Sequence, residues 1–170
     1  MVRLHCTKKL LDRIKPEIFA LGPSDTALGS WYVTAMFWKP HVALLVSERT
    51  LLPVLMPLAP AATLARRFPA QLALVLKEHG VPSEFIAQEV WRMDKVQYAK
   101  TANRSVVGIL NEFVKQAEFW LAAYAYEKGD DDDLLAISVK LAETPCSPLY
   151  NGPVSPDRAL HELVKARAQT

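Results

Sequence analysis

Three runs of aromatic and β-branched residues follow one another closely between residues 31 and 58, and they restrict the fold more than any other feature of the sequence. They cover 31–38, 41–46 and 51–58, with separating segments of two and four residues. Runs of this composition joined by such short turns predict an antiparallel β-meander. Pro53 and Pro57 cannot donate to a ladder, so the third run is predicted to be either an edge strand or a strand that ends early.

Two further strands are predicted from alternating patterns. Residues 2–7 alternate apolar and polar side chains, and residues 95–100 do the same. Strands come first and helices mostly later, with hairpin-length connections in place of repeated βαβ units. We therefore expect an α+β fold: an antiparallel meander extended by the strands at 2–7 and 95–100, with helices packed on one face.

The longest predicted helix spans 102–128, where apolar residues recur at a spacing of three and four, and it should form the spine of the core. Shorter helices are expected at 8–14, after Pro82 and after Ser155. Pro69 is expected to divide the helical stretch that follows Ala61, because an interior proline costs about 3 kcal/mol. The acidic run at 130–133 is interpreted as the start of another helix and not as a calcium loop, which needs a central glycine and a closing Glu.

Length and composition predict one soluble domain over 1–170. Just over half of the 170 residues are apolar, and the net charge of +2 indicates neither disorder nor a protein-wide polyanion-binding surface. The most apolar stretch, 51–62, is twelve residues long with three prolines, too short for a membrane span. Two cysteines and a basic N-terminus predict a reducing cytoplasm, with Cys6 buried and Cys146 more open in a loop.

Motifs of known chemistry are missing from the sequence. It contains no glycine-rich phosphate loop, no Gly-x-Ser-x-Gly, no His-Glu-x-x-His and no Cys-x-x-Cys, and its four histidines are widely spaced. We therefore predict no metal and no cofactor, and assign no catalytic residue. The aromatic residues of the first β run are expected in the core and not as a platform for nucleic-acid bases: Trp31, Tyr32, Phe37 and Trp38.

One segment, Lys100 to Phe113, carries more polar side chains than a helix cap requires. They cluster where a strand passes into a helix, a position that attracts anions. The predicted ligand-binding residues are Thr101, Asn103, Arg104, Ser105 and Asn111. A purely structural interpretation stays open, in which Thr101 caps the helix, Gly108 admits a neighbouring element and Arg104 pairs with a carboxylate. Arg3, His5 and Thr7 share one strand face with lysines just beyond, which adds a small positive patch.

Four separated motifs, LHCTKKLL, SERTLLPVL, KTANRSVVGILNEF and ETPCSPLY, occur in order along nearly the whole chain. With them the sequence resembles a family of uncharacterised bacterial proteins, a domain of unknown function. The resemblance implies no reaction, cofactor or ligand. It does imply that the polar stretch from Thr101 to Asn111 belongs to the family's most recognisable motif.

We hypothesise a non-enzymatic binding or interaction protein of the bacterial cytoplasm, with an anion site at the start of the 102–128 helix and an anionic ligand or a protein as its partner. Two alternatives stay open. One is an enzyme acting on a phosphorylated or nucleic-acid substrate, with Arg104 and Asn111 stabilising charge and His5 or Glu112 moving a proton. The other is an accessory protein that pairs with another chain in a mobile-element or toxin–antitoxin system. Nucleic acid is a weakly supported partner, and no membrane partner is expected.

Overall fold

The structure, a computed structural model, describes residues 1–19, 22–124 and 131–169. These residues form five strands and six helices, in agreement with the predicted α+β class. The strands are β1 (Val2–Cys6), β2 (Trp31–Met36), β3 (Val42–Ser47), β4 (Pro53–Pro57) and β5 (Val96–Lys100). The helices are α1 (Lys8–Ile14), α2 (Leu64–Glu78), α3 (Ser83–Trp91), α4 (Arg104–Ala123), α5 (Asp131–Leu141) and α6 (Pro156–Ala168).

The five strands make one mixed sheet in the order β4-β3-β2-β1-β5. The meander β2-β3-β4 is antiparallel as predicted, and the proline-containing β4 lies at an edge. The prediction of an antiparallel sheet throughout was wrong, because β1 runs parallel to both of its neighbours, β2 and β5. The physical reason is connection length: 24 residues separate β1 from β2, more than the dozen that a parallel crossover needs.

Helices cover both faces of the sheet, so the expectation of helices on one face was also wrong. One apolar cluster joins the sheet to residues of α1, α2 and α6, with side chains of α3 packed against it. A second cluster joins the opposite face to α4 and α5. Every residue of β2 and β3 is buried. A strand buried on both faces reads as a nearly continuous apolar run, which is the pattern these two strands have.

Helix α4 is the spine of the second cluster, as predicted. It buries an apolar stripe that includes Ile109, Phe113 and Leu121, while Trp120 is only partly buried. The helix begins at Arg104 and ends at Ala123; residues 125–128 of the predicted span lie outside the described residues. No described helix is long and apolar enough to cross a bilayer.

Two smaller predictions were wrong. Pro69 lies inside one continuous helix, α2, because burial of Phe68 and Leu72 on either side outweighs the missing hydrogen bond. Cys146 is 1% exposed, since its loop folds back and packs the thiol into the second cluster. Cys6 belongs to the first cluster, on the other face of the sheet, and both cysteines are free thiols.

Candidate functional site

The carboxyl ends of the three parallel strands meet at one end of the sheet. In register, Cys6 of β1 lies beside Val33 of β2 and Lys100 of β5. Each strand then leads into a new segment: β1 into α1, β5 into α4, and β2 into the turn before β3. Open sheets with parallel strands bind ligands at this end, because loops and helix starts gather there.

Cationic side chains concentrate in the chain segments at this end of the sheet, and these segments contain no acidic residue. Four chain segments meet there, which we call the basic end: 5–9, 34–41, 57–63 and 100–105. Their sequences hold no Asp or Glu and five cationic residues, which are Lys8, Lys9, Lys39, Lys100 and Arg104. These four segments therefore carry a net charge of +5, although the whole chain carries only +2. A local excess of positive charge of this kind attracts anions.

The opposite end of the sheet has no such imbalance. Its segments 22–30, 47–52 and 91–95 carry three acidic residues, Asp25, Glu48 and Asp94, against three basic ones, Arg49, Arg92 and Lys95. The terminal amine of Met1 also lies there and donates to Asp25 at 2.7 Å. Counting that amine, the segments of this end carry a net charge of +1, against +5 for the segments of the basic end.

Arg104 is the first residue of α4, and its side chain is exposed. This side chain makes no ion pair or hydrogen bond with any residue that the structure describes. With Thr101, Ala102 and Val107 it lines an open hollow of about 280 Å³. The carboxylate partner that a structural role for Arg104 requires is therefore absent from the described residues.

The backbone amides of Asn103, Ser105 and Val106, at the start of α4, are already bonded within the protein. Asn103 caps the helix, and its side-chain oxygen accepts from the amides of Ser105 and Val106 at 2.9 and 3.2 Å. The amide of Asn103 donates to the hydroxyl of Tyr32 at 2.9 Å. Thr101, the cap in the structural interpretation, does not have that role. An anion at this site would be held mainly by side chains, with the positive end of the helix dipole behind them.

The predicted ligand-binding residues are only partly brought together. Thr101 and Arg104 share the hollow, while Asn103 is committed to its cap. Asn111 is exposed, but seven residues along the helix place it about 10.5 Å beyond Arg104. Between them, Gly108 is exposed, and a Cβ added there would meet nothing within 4 Å. No neighbouring element therefore requires this glycine.

His5 adds an oriented imidazole to the basic end. Its ring stacks on Tyr32, with centroids 4.6 Å apart and an interplanar angle of 18°. Its Nδ1 lies 2.8 Å from the carbonyl oxygen of Lys100. A carbonyl only accepts hydrogen bonds, so Nδ1 carries the proton in the neutral ring and Nε2 is left as an acceptor. The alternation of β1 predicts the face of His5, but not its stacking partner Tyr32, which lies 27 residues further along the chain on β2.

A second cavity, of about 300 Å³, lies between α3 and the loop before β2. Its floor includes Glu89, which is 2% exposed. The two carboxylate oxygens accept from the backbone amides of Ala27 and Leu28 at 2.7 and 2.8 Å. Burial raises the pKa of Glu89, and those two hydrogen bonds oppose the rise. Because both oxygens hold the loop, the carboxylate has a structural role, and we place the candidate site at the basic end.

The remaining sequence candidates are not part of the basic end, although Asp131 lies near it: Asp131 acts electrostatically on Arg67, whose guanidinium donates to the carbonyls of Pro57 and Leu58. Asp131, Asp132 and Asp133 occupy the first turn of α5, as an acidic helix start should, while Asp130 lies outside the described residues. Glu112 is exposed on α4 and acts electrostatically on Cys146. Among the residues described, no group of three His, Cys, Asp or Glu side chains is placed to hold a metal ion.

Comparison with known proteins identifies a family whose function is unknown. A family model described as "Domain of unknown function (DUF6933)" matches residues 3–159, nearly the whole chain. No curated protein and no solved structure matches the chain. The match confirms the resemblance to a domain of unknown function. The chain belongs to the DUF6933 family.

Proposed function

We propose that this chain is a non-enzymatic binding protein whose ligand carries phosphate or a similar anionic group, held at the basic end of the sheet. The observation that carries the proposal is Arg104: an exposed guanidinium beside a hollow, with no carboxylate partner among the described residues. A guanidinium donates to two oxygens of one phosphate in a fixed geometry, which suits it to this ligand.

The surroundings of Arg104 support the same ligand. Thr101 adds a hydroxyl donor to the hollow, and the start of α4 adds the positive end of a 20-residue helix. Lys100 precedes them on β5, and the four segments of the basic end contain no Asp or Glu. We place the protein in a bacterial cytoplasm: the family resemblance implies a bacterial source, and the two free, buried thiols agree with a reducing compartment.

Calorimetric titration with inorganic pyrophosphate tests this proposal. We expect binding that weakens between 50 and 300 mM salt, because the attraction is between solvent-accessible charges. Thr101→Val should weaken it, and Lys165→Ala on the exposed face of α6 should not. Absence of pyrophosphate binding at low salt, or equal binding by Thr101→Val and wild type, would contradict the proposed site.

A second candidate function, acid–base catalysis on a phosphorylated substrate, is favoured by one observation. His5 is held by a stacked ring and a carbonyl so that Nε2 is the acceptor, an arrangement that suits a general base. Its test is release of phosphate or nucleotide from a panel of phosphate mono- and diesters. Turnover that His5→Asn abolishes, with pyrophosphate binding retained, would favour the enzyme over the binding protein.

A further inference from the structure

Phe37 is an exposed aromatic side chain at the basic end. It follows β2 directly, and it is 55% exposed, whereas Trp31 and Tyr32 of the same run are buried. The ammonium of Lys9 lies 5.8 Å from its ring centroid, and the ring of His41 meets it edge-on with centroids 5.2 Å apart. The expectation that Phe37 belongs to the core was therefore wrong. A ring this accessible beside cations can stack on a planar ligand.

The register of the sheet gives the separation between this ring and the cations of β5. Lys100 and Val33 both pair with Cys6, so they lie at the same level along the strand direction and are two strands apart. Phe37 is four residues beyond Val33. With about 4.8 Å between strands and about 3.3 Å per residue, the backbones of Lys100 and Phe37 are about 16 Å apart. This distance exceeds one phosphate group and suits a ligand with several repeating units.

We propose that the ligand at the basic end is a single-stranded polynucleotide, with phosphates bound by Arg104, Lys100 and Lys9 and one base stacked on Phe37. This inference rests on the proposed anion-binding function and names its ligand class. Single strands bind through cationic side chains that follow the backbone and aromatic side chains that stack on bases, over sites of at least about four nucleotides.

Two other polyanions fit the surface less well. In duplex nucleic acid the base faces are stacked on each other, so the ring of Phe37 would have no partner there. An acidic peptide would use the cations but has no requirement for an exposed ring. The combination of an accessible aromatic ring with the cations that follow β1 and β5 favours unpaired bases.

Fluorescence anisotropy with labelled twelve-residue oligonucleotides, dT12 and rU12, tests the inference. We expect wild-type binding at 50 mM salt, with dT12 and rU12 distinguishing DNA from RNA. Phe37→Ala should weaken binding about 5- to 100-fold, the effect of losing one base stack. An abasic oligomer of the same length should bind wild type and Phe37→Ala equally. Phe119→Ala removes another aromatic side chain, 64% exposed and on α4, and should change nothing.

Salt dependence separates the stacking residue from the phosphate contacts. Each phosphate contact with a single strand contributes about −0.7 to the slope of log affinity against log salt. Arg104→Ala should make the slope shallower by about this amount, while Phe37→Ala should lower the affinity with the slope unchanged. Pyrophosphate binding should be lost in Arg104→Ala and kept in Phe37→Ala.

The outcomes distinguish the inference from the function on which it rests. If pyrophosphate binds but the oligonucleotides bind no better than the abasic oligomer, the polynucleotide inference is overturned and the anion site stands. If a poly-glutamate peptide binds more tightly than dT12 and rU12, with Phe37→Ala without effect, the partner is an acidic protein and the inference is again overturned. If neither pyrophosphate nor any oligomer binds, both proposals fail.

Discussion

The hydroxyl of Tyr32, in the middle of the sheet, accepts a hydrogen bond from the backbone amide of Asn103 at 2.9 Å. Tyr32 is 1% exposed and lies under the ring of His5. A buried side chain of β2 therefore fixes the residue that caps α4, and with it the position of Arg104 one residue later.

Tyr32→Phe removes that hydroxyl and leaves the amide of Asn103 without its partner. We expect a loss of about 1 to 2 kcal/mol in the free energy of unfolding, the usual cost of one partly buried donor left unpaired. Urea denaturation measures it, and Tyr150→Phe, at an exposed tyrosine, should cost almost nothing. Equal stability of the two variants would show that the hydroxyl does not hold the cap.

Glu89→Ala should be more damaging than any change at the basic end. The substitution leaves the buried amides of Ala27 and Leu28 without an acceptor, so we expect a loss of about 3 kcal/mol or more. Gln88→Ala, at the exposed neighbour, should cost less than about 0.5 kcal/mol. Chemical denaturation compares the two, and a small loss in Glu89→Ala would mean that the loop before β2 does not depend on this carboxylate.

His79 gives stability a pH dependence near neutrality. Burial lowers the pKa of His79 below its ordinary value of 6.5, opposed by Asp157 and assisted by His161. The unfolded chain then binds a proton near pH 6.5 that the folded chain does not bind. This contribution to stability is therefore complete above pH 6.5 and is lost as the pH falls toward the folded pKa.

The measurement is urea denaturation of wild type and His79→Asn at pH 7.5 and pH 5.5. Wild type should lose more stability between the two pH values than the variant does, and comparing the two removes the contribution of other groups. His41→Asn, at a histidine on the β2–β3 turn, should retain the wild-type dependence. Identical pH dependence in wild type and His79→Asn would contradict the assignment.

Both cysteines should resist labelling in the native protein. Burial raises the pKa of Cys6 to about 12 and that of Cys146 to about 11, so almost no thiolate exists at pH 8. An aromatic disulfide reagent should react with both slowly in buffer and rapidly in urea. Fast native reaction at Cys146 would instead support the open loop that the sequence suggests.

Local patterns predict much of this fold. The turns between β2, β3 and β4, the edge position of the proline-containing β4 and the buried stripe of α4 all follow from short-range periodicity. Pairing between distant segments does not follow from it. The parallel alignment of β1 with β2 and β5 depends on a long crossover, and no local signal specifies which strand the returning chain joins.

The helix-covered second face of the sheet could have been recognised from the sequence, because Trp31–Met36 and Val42–Ser47 contain almost no polar residues. The sequence predicts the candidate site only in outline. Excess polarity marks the junction before α4, but the sequence does not distinguish Asn103 from Thr101 as the cap. The sequence also does not predict that Phe37 is exposed, because aromatic residues in a β run are usually buried.

The most direct test of the account compares Arg104→Ala with wild type for melting temperature and for pyrophosphate binding on the same preparations. Because Arg104 has no described partner, the melting temperature should not change, while the affinity for pyrophosphate should fall at least tenfold with the loss of a charged donor. Arg158→Ala, at an exposed arginine of α6, should change neither quantity. A marked drop in melting temperature with unaltered pyrophosphate binding would show that Arg104 serves the fold and not a ligand.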